Sequence, residues 1–173
     1  TSAARSSPWT AGVRTDLDTG YMLKLQDNAL LREQCLIAGE WTSAPLKIAV
    51  RNPATGAIIA EVPKLGAEAT AAAIEGANRA LPGWRRMTAK SRGAILRRWG
   101  ELMVAHREDL ARIMTAEQGK PLTEARAEID YAASYLNWFA GEALRLEGDW
   151  QHPSVAGRQL LNIPEPVGVV LAL

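Results

Sequence analysis

The sequence holds 173 residues with a net charge of +1; 47% are hydrophobic and 23% charged. That balance excludes a disordered chain and argues against a nucleic-acid or anionic-membrane footprint, and no apolar run approaches the ~20 residues of a membrane-spanning helix. The one cysteine, Cys35, rules out an internal disulfide and fits a reducing, cytoplasmic setting.

Residues 1–21 show neither periodicity nor the apolar centre of a signal peptide. Helical spacing begins with "MLKLQDNALLREQ", so Met22 is the expected start of translation and 1–21 an expected disordered leader or upstream read-through. Strand signals occupy residues 36–63. "CLIAGEW" is a short apolar run closed by Gly39, and "LKIAV" puts Leu46, Ile48 and Val50 on one face. "NPATG" is turn chemistry, and "AIIAEVP" returns as a strand, so a small antiparallel meander is expected.

Three helices are predicted next. The first spans about Ala67–Leu81, with Ala69, Ala73, Ile74, Ala77 and Leu81 on one face and Pro82-Gly83 as its stop. The second follows Thr88 as N-cap, and Ile95, Leu96, Trp99, Leu102, Met103 and His106 make its buried stripe. That stripe resumes at Leu110, Ile113 and Met114 after a bend near His106-Arg107. In "EQGKP", Gly119 suits a left-handed helix stop and Pro121 the first turn of the next helix. The third helix runs from about Pro121 to Leu146 on Ala125, Ile129, Ala132, Ala133, Leu136, Phe139 and Ala140, with Gly148 as its end. "DWQHPSVAG" reads as a loop, then "RQLLNIP" and "VGVVLAL" as strands, the second apolar enough for the middle of a sheet.

Few residues carry chemistry of their own. Cys35 lies at the start of a strand and reads as a small, partly buried side chain rather than a nucleophile. His106 reads as a structural histidine and His152 as a solvated one, without metal-ligand spacing around either. Glu117, Glu124 and Glu128 read as a solvated helix face, and Tyr135, Asn137 and Trp138 as packing residues. Neither a G-x-G-x-x-G nor a G-x-x-x-x-G-K-[ST] loop occurs.

The words of the sequence carry more than its single residues. "LIAGEW", "NPATGAIIAEVP", "ANRALPGWRRMTAKSRGAILRRWGELM", "DLARIMTAEQGKPLTEARAEIDYAASYLNWFAGEA" and "EPVGVV", in this order, resemble the opening third of the aldehyde dehydrogenase superfamily. The stretch from Thr115 to Asp149 is most similar to its succinate-semialdehyde and glutarate-semialdehyde branch. The resemblance covers about Met22–Leu173. It implies an α/β fold, the N-terminal part of an aldehyde dehydrogenase: a small β-meander, three helices and the start of a Rossmann-like parallel sheet. The implied division is 1–21 as leader, 22–150 as the N-terminal part of the cofactor-binding domain, 151–163 as an oligomerisation strand segment, and 164–173 as the first, truncated strand of the main sheet.

The implied reaction oxidises a semialdehyde to its acid with NAD or NADP, in a homo-oligomer (dimer or tetramer) with neither nucleic acid nor membrane as partner. The family's nucleophilic cysteine, its glutamate and asparagine, and its phosphate loop match positions beyond Leu173, so no catalytic or cofactor-binding residue is assigned here. Cys35 does not match the catalytic cysteine. Besides the oligomerisation segment 151–163, the resemblance implies two carry-overs: Tyr131 in the wall of the substrate channel, and a monovalent cation held by Val50 and Arg51 through their carbonyls with Glu117. The expectation is an inactive fragment of a dehydrogenase. The alternative is a short interaction or regulatory module that pairs with full-length subunits.

Overall fold

The computed structural model describes residues 23–172. The expected leader over 1–21, Met22 and Leu173 lie outside the described residues. The fold class is α/β as predicted, with four helices and three small antiparallel strand pairs.

The helix expected after Met22 does not form. Residues 23–34 hold a single 3-10 turn at Asn28–Leu30, capped by the Asp27 carboxylate, which accepts from the Ala29 N–H at 2.9 Å. The backbone there is held by another element instead: the Gln26 and Asp27 N–H groups donate to the Asp109 carboxylate. A buried carboxylate satisfies those donors as well as a helix would have done.

Strands β1 (Cys35–Ile37) and β2 (Glu40–Thr42) form one hairpin, and β3 (Lys47–Arg51) and β4 (Ile58–Pro63) a second. The predicted single meander is therefore two separate ribbons. Ala38 and Gly39 both take positive φ in the first turn, which suits the twist of a two-residue hairpin loop. In the second turn the Asn52 side chain accepts from Ala54 and Thr55, and Gly56 at φ +75° closes the turn on the Asn52 carbonyl. Asn52 is buried, and these bonds offset the cost of burying it.

Helix α1 is Ala67–Arg86. It passes through Pro82, where the sequence predicted a stop. The ring removes one donor near the last turns, and the helix runs four residues beyond it. The face that packs contains Gly76, against which Ala38 of the first hairpin sits closely enough to leave no room for a Cβ. Ile74 on the predicted face is exposed.

The long second helix is two: α2 (Ala89–Ala105) and α3 (Arg107–Gln118), joined at His106, where the sequence indicated a bend. Thr88 caps α2 by accepting from the Ser91 N–H at 3.1 Å. Gly119, at φ +78°, ends α3 as predicted. Helix α4 is Leu122–Glu142, and a 3-10 turn at Ala143–Arg145 replaces the last turn expected for it.

Helices α2, α3 and α4 make the core. Ala111, Ala125 and Ile129 form its centre, with Met103, Leu110, Met114 and Leu122 around them. Helices α2 and α4 approach on small residues: a Cβ at Gly93 would lie 2.7 Å from the Ala140 carbonyl oxygen, and one at Gly100 3.3 Å from that of Ala133. The α2 seam therefore runs through Gly93, Leu96, Gly100 and Met103. Ile95, Trp99 and Leu102, predicted to be buried, are exposed on the neighbouring face, as is Phe139 of α4.

After α4, β5 (Asp149–Gln151) pairs antiparallel with β6 (Leu160–Asn162), so the predicted loop at Asp149 opens with a strand. The predicted strand over 164–173 has no ladder partner among the described residues, nor is any parallel pair present there. Val167 is 94% exposed and Leu171 79%.

Candidate functional site

Three places in the fold gather polar or aromatic chemistry. The first is the open side of α4. Tyr131, Tyr135 and Phe139 recur every fourth residue, which stacks them along one helix face, and Trp138 flanks them. The Tyr131 and Tyr135 hydroxyls share a hydrogen bond of 2.7 Å, and their rings meet edge to face with centroids 4.9 Å apart. Tyr135 and Phe139 stack at 6.4 Å. With Ser134 they line a shallow groove of about 400 Å³. The bond from Tyr135 pushes the Tyr131 phenol above its ordinary pKa. The face is thus neutral and aromatic, with hydroxyl groups able to bond outward. It can shape and orient a small molecule; it supplies neither nucleophile nor base.

The second place is the corner where α3 ends. A Cβ on Gly119 would stand 2.8 Å from the Pro53 ring, so the helix terminus rests on the 52–56 turn. Val50 and Arg51 lead into that turn, where the β3–β4 register shifts. The Arg51 guanidinium folds back on the Gly56 carbonyl at 3.0 Å. Glu117 is exposed on the last turn of α3, and the Thr115 hydroxyl two residues earlier is buried without a hydrogen-bond partner. Oxygen groups of the kinds a hard cation takes, the Val50 and Arg51 carbonyls, the Glu117 carboxylate and the Thr115 hydroxyl, are carried by the two elements that meet here. Lys120, beside the corner in sequence, pairs with Glu128.

The third is a charged knot that sequence reasoning missed. Glu108 of α3 accepts from Arg126 of α4 at 2.8 and 2.9 Å and from Arg112 at 3.0 Å. The Arg126 bonds hold the Glu108 carboxyl down to about 2, against the opposing effect of burial. Asp109, 3% exposed, is lowered by the Gln26 and Asp27 N–H groups. Arg112 also donates to the Lys24 carbonyl. The knot clamps residues 24–27 onto α3 and is saturated by its own partners. Its sequence signal was the pair of acids following the bend at His106, which marks a helix start.

The remaining candidates lie apart. Cys35 is half-buried on β1, opposite Thr42. His106 is half-buried at the α2–α3 junction, and exposed His152 meets the Trp150 ring edge-on at 4.3 Å. Glu117, Glu124 and Glu128 are exposed, as expected of a solvated face. Among the described residues no cluster of three His, Cys, Asp or Glu could hold a metal.

A model of the aldehyde dehydrogenase family matches residues 41–173. The chain belongs to the aldehyde dehydrogenase family. It is 52% identical over 153 residues to succinate-semialdehyde dehydrogenase (NADP+) of Escherichia coli, covering 87% of this chain and 32% of that protein. Identity to glutarate-semialdehyde dehydrogenase of Pseudomonas putida is 51% with the same coverage. The crystal structure of succinate-semialdehyde dehydrogenase from Burkholderia pseudomallei superposes with a TM-score of 0.81 at 49% identity, over 83% of this chain and 30% of that one. The chain thus spans about a third of the length of the curated relatives it matches, and its helices and strand pairs are the N-terminal part of the aldehyde dehydrogenase fold. The resemblance read in the sequence, including its semialdehyde branch, holds.

Proposed function

We propose that these residues are the N-terminal part of an NAD(P)-dependent semialdehyde dehydrogenase, and that the 173-residue chain on its own does not turn over aldehydes. One observation carries the reading: 52% identity to a succinate-semialdehyde dehydrogenase across nearly the whole chain, with 32% of that relative's length covered. The reaction takes aldehyde, water and NAD(P)+ to carboxylate, NAD(P)H and two protons. The bound nicotinamide supplies the hydride acceptor. This chain's part is to bind and position: α4 walls the approach to the reacting carbonyl, and β5–β6 with residues 151–163 joins subunits of a homo-oligomer.

Tyr131 is the residue of the substrate wall. Its support is the neutral aromatic groove it shares with Tyr135, Trp138 and Phe139. In the complete enzyme Tyr131→Ala raises KM for the semialdehyde more than it lowers kcat; an unchanged KM removes it from the wall. The corner of Val50, Arg51 and Glu117 holds a sodium or potassium ion through oxygen atoms. Its support is the unpartnered Thr115 hydroxyl and the helix terminus set against the turn. Titration with either salt raises the melting temperature, and Glu117→Gln abolishes the rise relative to a bulky organic cation. Equal effects of all three cations contradict the site.

The substrate is a short aldehyde bearing a distal carboxylate. Steady-state rates of the complete enzyme with succinate semialdehyde, glutarate semialdehyde and an uncharged aldehyde of equal length test this. The acids are preferred in kcat/KM; preference for the uncharged aldehyde overturns the assignment. The rival reading of a short interaction module has no observation in its favour.

A further inference from the structure

We draw no further inference here: the strongest candidate, the open aromatic face of α4 formed by Tyr131, Tyr135, Trp138 and Phe139, is an unpartnered surface outside its proposed part in the substrate wall, and nothing in the structure shows what covers it.

Discussion

Glu108 and Asp109 are adjacent in sequence and bind opposite ways: one ties α3 to α4 through Arg126, the other ties residues 26–27 to α3. Both carboxyl groups sit below their ordinary values in the folded state, Glu108 moving from 4.5 to about 2. Between those two values the unfolded chain binds more protons than the folded one. The stabilisation is therefore complete above about pH 4.5 and is lost as the pH falls towards 2. Melting temperatures recorded from pH 6 down to 3 will fall, and Glu108→Gln will flatten that slope. An unaltered slope in the variant would place the acid sensitivity elsewhere. Beyond the acid pair at the helix start, the partners were not visible in the sequence, because Arg126 lies 18 residues from Glu108 and Gln26 lies 83 from Asp109. By contrast, the Asn52 turn, the Thr88 cap and the Gly119 stop were legible, since each depends on residues within a few positions of itself.

At the scale of elements, the seam between α2 and α4 decides which side chains are buried. Periodicity groups Ile95, Trp99 and Leu102 on one face by their hydrophobicity. Backbone proximity is set instead by Gly93 and Gly100, and the larger residues stay open. The two glycines make a paired test. Gly93→Ala puts a methyl 2.7 Å from a carbonyl oxygen, beyond what the helices can absorb without separating. The overpacking costs about 1–3 kcal/mol, against a helix-propensity gain of about 1 kcal/mol. Gly100→Ala meets its nearest atom at 3.3 Å, so a shift of a few tenths of an ångström suffices and the change is close to neutral. Urea unfolding of the two variants will show Gly93→Ala destabilised relative to Gly100→Ala; the reverse order would contradict the seam. Pro82 teaches the same lesson in α1. A residue that usually ends helices did not, because only one bond is lost near a terminus. Local propensity set where elements start more reliably than where they end.

For the whole molecule, the apolar surface is extensive for a chain of this size. Trp99, Trp138, Leu161, Val167, Val170 and Leu171 are all more than half exposed. Residues 164–172 make no ladder among the described residues, and unpaired backbone beside exposed apolar side chains can pair with another chain. The purified 173-residue chain will self-associate, with a light-scattering mass that climbs above the monomer value as concentration rises. A constant monomer mass up to high concentration would mean that these surfaces are covered within one molecule.

The family was legible because it resides in ordered sequence words, which survive ignorance of long-range contacts. The candidate site was legible only in part. Tyr131 came from the resemblance, while its hydrogen bond to Tyr135 and the groove came from the helix geometry.

The proposed assignment gives catalysis to a longer polypeptide of which these residues are one part, as the 32% coverage of the semialdehyde dehydrogenase relative supports. The direct measurement is NAD(P)H formation from succinate semialdehyde by the 173-residue chain, run beside a polypeptide of the relatives' full length that begins with it. Steady turnover by the long polypeptide and none by the short chain is the expected result; turnover by the short chain, purified free of any other dehydrogenase, would overturn the assignment.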